Sequence, residues 1–180
     1  QLDYRLGVYR LLRRDNGRLT GLLKTRLSEE RPNLSQEERE RRMGIFHYNE
    51  GNKFFKERNF AEAIIRYEKA LHHHKGFKEA TINLSTAYMK NKRFDKALET
   101  LQAGQKKFPE DPLIDYNLAC YYSLTENLEP GLSALQKAVE KGYKQFKQME
   151  ADPDLNNLRQ SGEYQAWKKR YPRSDFWHPP

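Results

Sequence analysis

The sequence predicts an all-α protein built as a stacked helical solenoid, and three observations lead there. Positions 34 residues apart repeat in kind three times over: Asn49, Asn83 and Asn117; Phe54, Tyr88 and Tyr122; Phe60, Phe94 and Leu128; Ala63, Ala97 and Gly131; Tyr67, Leu101 and Leu135; Ala70, Gly104 and Ala138. A fixed period of this length, alternating small residues with aromatics, suits stacked helical hairpins, because each hairpin can bury its apolar face only against the next. Within the first unit Phe60, Ala63, Tyr67 and Ala70 fall at i, i+3, i+7 and i+10, a single helical face. No stretch sustains the apolar and polar alternation that strands require.

The elements follow in order. Residues 1–43 form a basic leader, read as a helical hairpin that caps the solenoid. Leu2, Leu6, Tyr9 and Leu12 trace one apolar stripe, Asp15-Asn16-Gly17 turns the chain, and Leu19, Leu22, Leu23 and Leu27 resume the stripe. After Pro32, Ser35 with Glu38 three residues on is a capping-box signature for a helix that runs into the first repeat. Three hairpins then occupy 44–142, as units 44–77, 78–111 and 112–142. In the first unit Gly51, Phe54 and Phe55 lie on helix A, Arg58-Asn59 makes the turn and Phe60 opens helix B. Small residues at Gly51/Ser85/Ala119 and Ala63/Ala97/Gly131 allow the paired helices to approach closely. Gly76 and Pro109 are expected to close the first two B helices, and Gly142 the third. Residues 143–180 supply a terminal cap, with a turn and helix start at Asp152-Pro153-Asp154, apolar Leu155, Leu158, Tyr164 and Trp167, and an aromatic tail, Phe176-Trp177, expected to dock on the body.

This pattern resembles the tetratricopeptide repeat, over about residues 44–142. The resemblance implies a right-handed solenoid, and it implies function at the concave face lined by the A helices. The family lines that face with the second, fifth, sixth, ninth, twelfth and thirteenth positions of each unit. Carried over, the first unit offers Ile45, Tyr48, Asn49, Asn52, Phe55 and Lys56. The second offers Glu79, Ile82, Asn83, Thr86, Met89 and Lys90, and the third Leu113, Tyr116, Asn117, Cys120, Ser123 and Leu124. The run DPDLNNLR after the last repeat also looks like the closing segment of many bacterial repeat proteins.

An amide row beside apolar and aromatic pockets suits a peptide or helix of a partner protein. A carboxamide both accepts from a backbone N–H and donates to a backbone C=O, so asparagines repeating along a groove can clamp an extended chain; the other reading is that they only solvate the A helices. The clamp by which co-chaperone members hold chaperone tails needs cations at three positions that are here Tyr48, Leu113 and Asn117, although Asn52 and Asn83 match. Without those charge-assisted bonds a terminal carboxylate is held poorly, which argues against a chaperone-tail adaptor.

Composition narrows the remaining classes. The net charge of +8 divides into +4 on residues 1–43, where ten of eleven cations are arginine, and +2 on each of 44–142 and 143–180. An arginine-rich leader can hold acidic protein, nucleic acid or anionic lipid, or can simply be a solvated face. Nucleic acid or an anionic surface is therefore the alternative to a protein partner. The sequence points to no enzyme and no cofactor: there is no glycine-rich phosphate loop, and Cys120, the single cysteine, has no histidine beside it. His72-His73-His74 are consecutive, so on a helix they point about 100 degrees apart and do not converge on one metal ion. No apolar run approaches the roughly 18 residues that a membrane span needs. The expectation is a soluble cytoplasmic or periplasmic domain, with a signal or anchor segment upstream of Gln1 left open.

Overall fold

The structure, a computed structural model, describes residues 35–170. The expected leader hairpin and the aromatic tail lie outside the described residues. The chain divides into two compact units, Gln1–Arg42 and Met43–Pro180, and of the first only 35–42 are described. There, Ser35 Oγ accepts from the Glu38 N–H at 3.2 Å and starts helix α1 (Gln36–Lys56), as the capping signature predicts. The reciprocal half of that box does not form, because the Glu38 carboxylate turns forward to Arg42 at 3.3 Å.

Three hairpins follow one another: α1 with α2 (Phe60–His73), α3 (Lys78–Lys90) with α4 (Phe94–Lys107), and α5 (Pro112–Leu124) with α6 (Leu128–Glu140). Each A helix is joined to its B helix by the same turn. Arg58, Lys92 and Glu126, 34 residues apart, are left-handed, with φ of 59°, 58° and 60°. Each turn is closed by a bond over one full helical turn: Asn59 N–H to Phe54 O at 2.9 Å, Arg93 N–H to Tyr88 O at 2.9 Å and Asn127 N–H to Tyr122 O at 2.8 Å. A side chain in that region costs roughly 1–2 kcal/mol, so the closing bonds and the packing of both helices hold the turns there. The end of α6 uses the same geometry with Gly142 at φ 103°. Gly76 corrects its expected role, since it is not left-handed. Helix α2 ends at His73, His74 N–H reaches Ala70 O at 2.9 Å, and Phe77 N–H to His74 O bends the chain onward.

The inner stripe predicted for the B helices is the core. Ala63, Tyr67, Ala70, Ala97, Leu101, Leu135 and Ala138 are all buried, joined by Ile64, Leu84, Ile114 and Leu118. The small residues do what close approach requires. A Cβ on Gly51 would stand 2.5 Å from Tyr67 Cε1, and one on Gly104 would stand 3.0 Å from Ile114 Cδ1. Among the described residues one charge is buried in this core: Asp115, 1% exposed, is held by Lys141 Nζ at 2.5 Å and Gln105 Nε2 at 3.3 Å.

After Gly142 the chain closes the stack with α7 (Phe146–Ala151), a tight turn over Pro153–Leu155, α8 (Asn156–Arg159) and α9 (Gly162–Arg170). Asp152 starts the turn as predicted, its side chain accepting from Asp154 N–H at 3.0 Å. Leu155, Leu158, Tyr164 and Trp167 are buried. Burial pushes the Glu150 carboxyl up, but Lys168 at 2.7 Å and the Tyr164 hydroxyl outweigh it and hold the group below the usual carboxylate range. A carboxyl lowered on folding contributes stability that is present above its unfolded value, near 4.3, and is lost as pH falls through the lower folded value. Protection of the α9 amides, taken relative to intrinsic exchange at each pH, is therefore expected to fall as pH drops through that lower range, and Glu150→Gln should abolish that fall. A protection profile for α9 with the same pH dependence in wild type and variant would refute it.

Candidate peptide-binding face

The A helices are tied side by side through their asparagines. Asn83 on α3 donates both amide hydrogens back to α1, to Asn52 Oδ1 at 3.0 Å and Tyr48 Oη at 3.2 Å. One repeat later Asn117 on α5 donates to Ser85 Oγ and Thr86 Oγ1 on α3, each at 3.1 Å. Asn52 in turn accepts from the Tyr67 hydroxyl at 2.7 Å, which burial and the neighbouring Tyr48 keep protonated far above neutral pH. The donor half of the expected amide clamp is thus committed within the fold, so Asn83 and Asn117 have only carboxamide oxygens to offer a bound chain. Asn49, at the same place in the first unit, is exposed.

The other predicted face residues divide by burial. Ile82, Met89, Tyr116 and Cys120 are buried. Tyr48, Asn52, Phe55 and Thr86 are half-buried, Lys56 and Lys90 are exposed, and Leu113 is 41% exposed. Tyr48 lies against Phe77 with ring centroids 4.7 Å apart, and Phe55 meets Phe60 edge-on at 5.2 Å. The surface offered in the first two units is therefore Tyr48, Asn52, Phe55 and Thr86, with lysines at its end, while Ile82 and Met89 back it from within.

In the third unit the closing segment covers the face. The Tyr116 hydroxyl donates to Asp152 Oδ2 at 2.6 Å and its ring stacks on Tyr143 at 4.4 Å. Cys120 Sγ stands 4.0 Å from the same carboxylate oxygen. Asp154 reaches across to Lys90 Nζ at 3.3 Å, and Leu158 N–H bonds Ser123 Oγ at 3.1 Å. Burial first, then Asp152 and Asp154, push the Cys120 thiol up, with Lys90 opposing weakly. It stays a thiol and makes a poor nucleophile. The sequence reading took Asp152 and Asp154 as a turn and helix start only; that their carboxylates reach back to Tyr116 and Lys90 it did not find.

The three histidines end α2 without converging. His73 stacks on His47 at 5.4 Å, His72 meets His73 edge-on, and His74 leans on Phe77. Among the described residues no helix is long and apolar enough to cross a membrane.

Paired helices in fixed register, amide bridges between successive A helices and small residues at the crossings all come from one repeating unit. The family model described as tetratricopeptide repeat matches residues 54–119. Over that segment the chain is similar to tetratricopeptide repeats. It is 35% identical over 103 residues to a chloroplastic protein of Arabidopsis thaliana, covering 56% of this chain and 31% of that protein. The chain thus spans about a third of the length of the curated relative it matches. Among solved structures it is similar to the first tetratricopeptide domain of Spaghetti (RPAP3) bound to an HSP90 peptide, with a TM-score of 0.60 and 19% identity over 70% of this chain and 95% of that one. It is also similar to the C-terminal tetratricopeptide domain of an FK506-binding protein of Plasmodium falciparum, with a TM-score of 0.55 and 22% identity over 76% of this chain and 97% of that one. At these identities the solved structures share the repeat fold.

Proposed function

We propose that this chain is a protein-interaction scaffold whose concave face holds a peptide or helix of a partner protein on its first two repeats. The observation that carries the reading is the split in burial along the A helices. Tyr48, Asn52, Phe55 and Thr86 stay partly open on one face, whereas the matching surface of the third repeat, at Tyr116 and Cys120, is closed by Asp152 and Asp154. A half-buried aromatic pair beside amides provides an apolar anchor point with polar groups to orient a backbone. The peptide in the Spaghetti complex supports the same use of the fold. The cations that would hold a terminal carboxylate are absent here, which favours an internal segment over a chain terminus.

Phe55 is the residue to test, because it is half-open on the face and packs at the margin of the core rather than inside it. Burying one anchor is worth roughly 1.5–3 kcal/mol, so Phe55→Ala should weaken capture of the native partner by roughly tenfold or more with little change in the melting curve. Tyr116→Ala is a poorer probe, since Tyr116 is buried and bonded to Asp152. Quantitative affinity enrichment from native extract, comparing wild type with Phe55→Ala, decides the matter. Partners retained equally by both proteins would remove the face as the site.

A further inference from the structure

We propose that the partner segment is acidic, and that its carboxylates sit on a basic edge formed by the turns of the first two repeats; this rests on the peptide-binding reading above and names the chemistry of the occupant. The three A-to-B turns share one backbone geometry, with Arg58, Lys92 and Glu126 at equivalent left-handed positions. Their charges differ. The first turn carries Lys56 and Arg58 against Glu57, and the second carries Lys90, Lys92 and Arg93 against Asp95. The third carries Glu126 and Glu129 with no cation between Leu124 and Glu129. All the cations named are exposed.

Helix packing alone does not call for this gradient. The turns are superimposable in conformation, so backbone demands are the same in each, and a lysine or arginine in the left-handed region carries the same steric cost as the glutamate that replaces it. The positive charge is concentrated where the concave face is open and gives way to negative charge where the face is closed. Lys56 and Lys90 end the two A helices whose side chains line the open face, so the edge continues that face rather than lying behind it. Arg58 lies over Phe60 and Arg93 over Tyr88, with centroid distances of 5.6 Å and 5.1 Å, and both arginines are exposed all the same.

The chain itself shows the chemistry. Its own acidic stretch, Asp152-Pro153-Asp154, crosses the third A helix with one carboxylate on the Tyr116 hydroxyl and the other on Lys90. An acidic segment of a partner that continues along the row toward the first repeat would place an apolar side chain at Phe55 and Tyr48, and carboxylates at Lys56, Arg58 and Lys92. Complementary charge at the rim of an interface accelerates association and selects among partners.

The test uses the full chain and two fluorescein-labelled twelve-residue peptides, one alternating aspartate with leucine and one alternating lysine with leucine, together with a twelve-nucleotide single-stranded RNA, all measured by anisotropy at low and physiological salt. The acidic peptide should bind in preference to the basic one and weaken as salt rises. The triple charge reversal Lys56→Glu, Arg58→Glu, Lys92→Glu should weaken it by at least about tenfold without shifting the melting curve, and Phe55→Ala should weaken it independently. If the reversal leaves binding unchanged while Phe55→Ala abolishes it, or if the basic peptide binds as well as the acidic one through Phe55, the acidic chemistry is wrong and the face reading stands. If the RNA binds more tightly than the acidic peptide and is lost on charge reversal, the edge serves nucleic acid and the proposal falls. No saturable binding of the acidic peptide at concentrations on the order of 1 mM, a free energy of about −4 kcal/mol, also overturns it.

Discussion

Lys141→Met should destabilise the repeat body by about 3–5 kcal/mol, because it strands a buried carboxylate. Asp115 is 1% exposed in the first turn of α5, and the partners of its carboxylate are few: the Lys141 ammonium at 2.5 Å, the Gln105 amide at 3.3 Å and the amino-terminal end of its own helix. Lys141 caps the end of α6 and is 22% exposed, so methionine can replace its stem with little loss of packing. What disappears is the charge. The helix terminus recovers up to about 1 kcal/mol for the remaining anion, which is too little to replace an ion pair in a dry site. Removing both members is expected to be far milder, since a buried pair exchanged for apolar groups of similar volume is often close to neutral. Urea unfolding of wild type, Lys141→Met and the double variant Asp115→Leu/Lys141→Met decides between these: a single variant within 1 kcal/mol of wild type would show that water or the backbone already satisfies Asp115.

The fold was legible because its dominant energy term is periodic. Positions such as Tyr67, Leu101 and Leu135 carry the core, and a 34-residue repeat states their equivalence three times. The turns were legible for the same reason, at Arg58-Asn59, although nothing in Arg58, Lys92 or Glu126 as residue types announces a left-handed backbone, and a glycine at 76 suggested a left-handed stop that the chain does not use. The face was legible as a set of positions and not as a surface. Family positions tell which side chains leave the A helix, but their exposure depends on what comes next in space. Cys120 and Tyr116 are covered by a segment that begins where the repeat degenerates, and Asn83 and Asn117 turn sideways to Tyr48 and Thr86 over a distance that no one-dimensional pattern encodes. Asp115 was passed over for a related reason: a lone acid in a helix with mixed charges looks solvated until its lysine, 26 residues on, is placed beside it.

Tyr67→Ala should cost about 3–5 kcal/mol, the range for emptying an aromatic site in a packed core, and the cost should be partly recoverable from the opposite helix. Tyr67 is 1% exposed and its ring lies directly on Gly51, close enough that a Cβ there would stand 2.5 Å from one ring carbon and 2.6 Å from the next. The hydroxyl adds a bond to Asn52 Oδ1, the same oxygen that receives Asn83 from the second repeat. Tyr67→Phe isolates that bond and should cost about 1 kcal/mol; the rest of the alanine effect is volume. On helix propensity alone Gly51→Ala would be stabilising by roughly 1 kcal/mol, but the collision with a ring that has nowhere to move costs about 1–3 kcal/mol, so the single exchange should be net destabilising. With the ring removed the sign reverses. In Tyr67→Ala/Gly51→Ala the new methyl enters space the tyrosine vacated, and the double variant should be more stable than the sum of the two single losses by at least 1 kcal/mol, as coupled neighbours in one cavity allow. Denaturant unfolding of the four proteins in the cycle measures this directly. Strict additivity would mean that α1 and α2 separate to relieve the contact, and the close approach at Gly51 would then be incidental to the stability of the first repeat.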